Sequence, residues 1–234
     1  MEEISIVSIL LSLAFFLLGC IIGSFLNEAA IRVLKKESIV TVRSKPVSLR
    51  YLFGELCTGL LFALVYAVIG IEPELFVGLW LICILVNITQ TDLEQMIIPN
   101  SIVITGLIGA IGLRAWVHPH SYWNYFIAMF VGSGILLLLG WSFEKLVKRE
   151  AMGGGDIKLY TFIGILLGIQ LTLLSLFVAS ILGLLYGFIQ FIRKQSMMQR
   201  EIPFGPFIAG GSILVYLWGE DWLNWYLNVF IGNS

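Results

Sequence analysis

Of the 234 residues in the chain, 59% are apolar and 12% charged, with a mean hydropathy of +0.95. A soluble domain carries roughly 25% charged residues, so a soluble enzyme, a disordered chain and a secreted disulfide scaffold are excluded. Fourteen basic residues against 15 acidic ones leave a net charge of -1, which argues against a nucleic-acid partner and leaves a polytopic membrane protein in a lipid bilayer.

Apolar stretches fall at about 4–30, 52–70, 75–90, 101–117, 122–143, 159–192 and 205–231, most of them near the roughly 20 residues that cross a hydrocarbon core. The first predicts a retained helix, because Glu2 and Glu3 stand where a cleaved signal is positive. The short basic loop 32–50 follows it. The sixth stretch is too long, since 34 residues make a helix of about 51 Å against a core of about 30 Å. Lys and Arg gather in cytoplasmic loops, and this decides its form. A turn at Gly168-Ile169-Gln170 makes two helices and leaves 13 of the 14 basic residues cytoplasmic, with Arg114 alone outside; one long helix leaves 10. The expectation is an all-α chain of about eight transmembrane helices, both termini outside, forming one membrane-embedded domain over 1–234. The last stretch is expected to break at Gly219-Glu220-Asp221, so that 205–218 crosses and the tail with Trp218, Trp222 and Trp225 lies in the interface.

Cys20, Cys57 and Cys83 are isolated in apolar stretches, where cysteine behaves as a small hydrophobe. His118 and His120 flank Pro119 without a third ligand nearby. No metal site is expected.

An ionisable group at membrane depth is a functional hypothesis in itself. Asp92 lies between the third and fourth stretches, and Asp156 follows Gly153, Gly154 and Gly155 at the start of the sixth. The charge-based topology places both at cytoplasmic helix ends. Two carboxylates about 3 Å apart cannot both ionise easily and share a proton. One then acts as base on a water while its protonated partner polarises a scissile carbonyl. The glycine run permits φ > 0 and close approach of a substrate backbone. Two other readings fit the residues alone: either Asp caps a helix, or the pair serves a small proton-coupled transporter. Asn87 and Gln90 are placed to support Asp92, and Gly106, Gly109, Ala110 and Gly112 to permit close helix contact.

Five segments in order carry a family resemblance: Gly23-Ser24-Phe25-Leu26-Asn27, Glu55-Leu56-Cys57-Thr58-Gly59, Asp92 with Ile98-Pro99-Asn100, Gly153-Gly154-Gly155-Asp156-Ile157-Lys158, and Ile202-Pro203-Phe204-Gly205-Pro206. Together they resemble the type IV prepilin peptidases, membrane aspartic proteases with a glycine-x-glycine-aspartate motif. The resemblance implies removal of the short basic leader from prepilins or pseudopilins at the cytoplasmic face of the inner membrane, in pilus assembly or protein secretion. It makes Asp92 and Asp156 catalytic, with Gly153, Gly154, Gly155 and Lys158 shaping the site and no cofactor for proteolysis. Gly23, Asn27, Glu28, Glu55 and Glu94 become candidates for substrate contact or for methylation of the new N-terminus with S-adenosylmethionine. Many members carry two Cys-x-x-Cys pairs in the first loop; here 32–50 holds no cysteine, so zinc is not expected there and methylation stays open. Other glycine-x-glycine-aspartate proteases, such as the preflagellin peptidases, are the neighbouring alternative.

Overall fold

A computed structural model describes residues 6–35, 49–148, 153–193, 203–230 and 232. The protein is an all-helical, polytopic membrane protein. In chain order its helices are α1 (Ile6–Lys35), α2 (Leu49–Ile69), α3 (Glu74–Gln95), α4 (Asn100–Trp116), α5 (Tyr122–Val147), α6 (Gly154–Ile192) and α7 (Gly205–Phe230). Five of them, α1, α2, α3, α5 and α6, are long and apolar enough to cross a membrane, and α4 is a shorter apolar helix. Large apolar side chains such as Leu13, Leu17, Phe126, Phe130, Leu184 and Phe188 point outward, as they do where the surrounding solvent is lipid. Residues 36–48, most of the expected basic loop, lie outside the described residues, as do Arg149, Lys194, Met197, Met198 and Arg200.

The chain forms two compact units, Met1–Gly109 and Ala110–Ser234. In the first, α1 packs on α2 and α3, and α2 on α3, around Phe62, Val65, Leu81, Leu85 and Ile88. Gly19 and Gly59 let α1 and α2 cross closely: a Cβ on Gly19 would lie 2.7 Å from the Gly59 Cα. Trp80 of α3 donates its Nε1–H to the Gly106 carbonyl at 3.1 Å and lies against Gly109. Two of the small residues expected in α4 therefore serve close contact.

In the second unit α5 packs on α6, and α6 on α7. α6 is broken at Gly168, where φ is 75° and ψ 175°, a combination essentially only glycine adopts. A Cβ on Gly132 of α5 would lie 2.7 Å from Thr172 Cγ2 and 3.3 Å from Tyr160 Cδ1, yet 12 residues of straight helix would separate those two by about 18 Å. The chain therefore turns back at Gly168, within the turn expected from length and charge, and α6 is two arms. Each arm end at the turn has a partner. Arg114 Nε and Nη2 donate to the Leu166 carbonyl, the first at 2.9 Å, and Nη1 donates to Val117 O at 3.2 Å. Asn124 Oδ1 accepts the Ile169 N–H at 2.9 Å. Arg114, the one basic residue that charge counting left outside, is buried here with its guanidinium 4.9 Å from the Tyr125 ring centre.

The expected break at Gly219 is not found; α7 runs on through it to Phe230. The glycine serves packing instead, because a Cβ there would come within 2.8 Å of Val215 and Leu171 side-chain carbons.

Between the arms and α7, Thr172 and Ser212 are fully buried, and their hydroxyls have no hydrogen-bond partner among the described residues. The helical acceptor for Thr172 is the residue four earlier, which is Gly168, where the chain leaves the helix. A hydroxyl buried without a partner opposes folding by roughly 1–3 kcal/mol. Thr172→Val keeps the branched shape and removes that group, so thermal unfolding in detergent is expected at the wild-type temperature or above it; a clear drop would contradict this arrangement.

Candidate functional site

Among the described residues, Asp92 and Asp156 are the two buried carboxylates, at 6% and 9% exposure; the other described Asp and Glu residues are at least partly exposed. Asp92 belongs to the first unit and Asp156 to the second.

Asp92 sits in the last turn of α3, which ends at Met96 in the left-handed region (φ 55°, ψ 37°), with the Met96 N–H donating to the Asp92 carbonyl at 2.8 Å. Sequence allowed Asp92 to be an N-cap, and this placement excludes that. A carboxylate is disfavoured at a helix C-terminus, where the dipole is negative, and burial adds to the cost. Residues 97–99, outside any helix, follow, with Ile97 exposed and Ile98 buried.

Asp156 lies in the first turn of α6, where the N-cap is Gly153 and no side chain caps the helix. Its N–H donates to the Gly153 carbonyl at 3.1 Å, and its charge suits the positive end of the dipole. The glycine run does not use positive φ: Gly153 is extended (φ -67°, ψ 133°), and Gly154 and Gly155 are helical. Its use is room among the described residues, where a Cβ on Gly154 would meet nothing within 4 Å and one on Gly153 only the Gly155 N at 4.0 Å. Lys158, two residues on, is exposed.

The residues linked by resemblance to substrate contact or methylation divide. Asn27 of α1 donates to the Tyr51 carbonyl at 3.0 Å and to Glu55 Oε1 at 3.4 Å, while its own Oδ1 accepts from Gln90 of α3. Gly23 closes against the same helix, where a Cβ would lie 3.0 Å from Glu55 Cα. Asn27, Glu55 and Gly23 thus come together inside the first unit, with Gln90, two residues before Asp92, on the same helix as that acid. Glu28 does not join them; it pairs with Arg32 at 2.9 Å, one turn along α1. Glu94 is exposed. Asn87 and Gln90 were expected to support Asp92, and each keeps a buried side-chain oxygen without a partner among the described residues. Two participants escaped the sequence: the Tyr51 carbonyl, which backbone alone supplies, and Gly54, where a Cβ would crowd Asn27 Oδ1 at 3.0 Å and Gln90 Nε2 at 3.1 Å. The spacing of Gly54 one turn before Thr58, which donates to its carbonyl, was the available sign.

Residues 79–188, which contain both Asp92 and Asp156, match the model of the type IV leader peptidase family. The chain is 29% identical to the prepilin leader peptidase/N-methyltransferase of Bacillus subtilis, over 93% of this chain and 98% of that protein. It is 31% identical to the protein of the same name from Aeromonas hydrophila, over 80% of this chain and 64% of that protein. For the Legionella pneumophila protein the figures are 30%, 80% and 65%. The chain thus spans nearly all of the Bacillus relative and a little under two thirds of the other two. No solved structure matches it.

Proposed function

We propose that this chain, whose residues 79–188 match the type IV leader peptidase family, is a protease that removes the short basic leader of prepilins or pseudopilins, with Asp92 and Asp156 as its two catalytic carboxylates. The observation that carries this is the burial of these two acids alone among the described carboxylates, one of them at the helix end where its charge is least favoured. In this mechanism one carboxylate, ionised, takes a proton from a water. The other, protonated, donates to the scissile carbonyl, so that a singly protonated pair delivers both acid and base. Open space around Gly153 and Gly154 admits an extended peptide backbone. The substrate's apolar stem stays in lipid while its basic leader remains in water, which places the scissile bond at the membrane boundary. On the positive-inside argument that boundary is the cytoplasmic face of the inner membrane.

The proposal extends to methylation of the new N-terminus, the second activity in the relatives' names. Glu55 and the buried oxygens of Asn87 and Gln90 are acceptors that suit the ammonium and sulfonium cations of S-adenosylmethionine, which when bound supplies the methyl group. Co-expression with a prepilin, read by intact mass, tests both activities. Loss of the leader is expected, with a further species one methyl group heavier. An intact leader would refute the peptidase assignment, and a trimmed pilin without the heavier species would refute methylation.

A further inference from the structure

The turn at Gly168 also builds a cavity of about 240 Å³ within the second unit. It lies at the end of the first arm of α6 opposite Asp156, about 16 Å along that arm, and is distinct from the candidate active site. Its polar lining is His120, Asn124, Gln170, Glu220 and Asn224. Leu223 and Leu227 of α7, with Leu167, form an apolar wall.

Three observations narrow the occupant. First, the lining contains a carboxylate and an imidazole but no Lys or Arg. Glu220 Oε1 and His120 Nε2 stand 3.9 Å apart and both remain partly exposed, while nearby Arg114 is engaged with the Leu166 and Val117 carbonyls. An anionic ligand would meet Glu220 with no fixed cation to offset it; a cation with N–H donors would be held there. Second, the remaining groups are amides. Asn124 Oδ1 is taken by the Ile169 N–H, so its NH₂ is the group left to donate, and Gln170 and Asn224 add further donors suited to phosphate oxygens. Third, the surrounding surface carries exposed Tyr122, Trp123, Trp222, Trp225 and Tyr226. Amphipathic rings of this kind settle at headgroup depth, and the leucine wall gives an acyl chain a surface to follow.

We propose that this cavity binds the headgroup of a zwitterionic phospholipid with a primary ammonium, the ammonium on Glu220, the phosphate on His120 and the amides, and an acyl chain along Leu223 and Leu227. The choice of head is specific: a choline head has no N–H to give Glu220, and a glycerol head has no cation.

The test uses the full chain in detergent with equimolar phosphatidylethanolamine, phosphatidylcholine and phosphatidylglycerol of matched acyl chains, and native mass spectrometry to count retained lipid. The wild type is expected to retain the ethanolamine lipid roughly five-fold over the choline lipid, the scale of one partly exposed ion pair. Glu220→Gln, which keeps size and removes charge, is expected to abolish that preference without lowering the unfolding temperature. Equal retention by the wild type, or an unchanged preference in Glu220→Gln, would overturn the proposal. Soluble glycerophosphoethanolamine is expected not to be retained; retention equal to the lipid's would overturn the lipid assignment in favour of a water-borne amine phosphate.

Discussion

Asp92→Asn and Asp156→Asn are each expected to lower leader cleavage by about three orders of magnitude or more, within the range for loss of a positioned acid or base and for groups that act as a unit. The double variant is expected to lose no more than either single one, because a proton-sharing pair fails when one member is gone. Stability should move the other way. Asp92 is a buried acid at the negative end of α3, so its amide is expected to unfold at the wild-type temperature or above. Asp156→Asn gives up a favourable dipole contact at the start of α6, roughly 0.3–1 kcal/mol. A time course of leader removal with purified substrate, beside thermal unfolding of the three variants, reads both effects. If the carboxylates were structural, the pattern would invert, with cleavage retained and unfolding temperatures reduced.

Gly168→Ala is expected to be among the most damaging single substitutions in the second unit. At φ 75° and ψ 175° an L side chain carries a penalty of roughly 1–3 kcal/mol, and the new Cβ would also press on Asn124 Oδ1, the acceptor that holds the start of the second arm. In a chain of this size about 2–3 kcal/mol corresponds to a fall of about 5–10 °C in unfolding temperature. Cleavage should fall with it, since the first arm carries Asp156. Should Gly168→Ala prove too unstable to purify, Asn124→Ala and Arg114→Met test the same turn. The first orphans the Ile169 N–H and the second the Leu166 carbonyl, and a hydrogen bond to a charged group contributes about 1.5–3 kcal/mol. Wild-type unfolding in all three would mean that α6 does not turn back at this glycine.

The turn was legible because two independent quantities, the length of the apolar stretch and the distribution of basic residues, required it at the same place. The two acids were legible for a related reason: in so apolar a chain every charge at a membrane boundary is conspicuous. Gly219 misled because glycine marks both a break and a close approach, and only the side chains of Val215 and Leu171 decide between them. The glycines before Asp156 misled similarly, since room and positive φ call for the same residue. Arg114 looked like a stray outer charge. Its partner is a carbonyl 52 residues away, exposed only because the helix stops there, and no local pattern announces such a pairing. The Asn27, Glu55 and Gln90 association likewise joins three helices whose rotation sequence does not state.

The short reach of the first arm bears on the membrane itself. From Gly154 to Leu167 it rises about 21 Å, and α4, with 17 residues, about 25 Å; Arg114 ties the end of one to the end of the other. Both fall short of a hydrocarbon layer about 30 Å thick. The first arm is largely buried, but α4 exposes Ile104, Ile108 and Ile111, and lipid beside that face compresses at a fraction of a kcal/mol for each ångström of mismatch. That elastic load favours short-chain, thinner bilayer around this flank of the protein, so acyl-chain length becomes a control on where in the membrane the enzyme gathers.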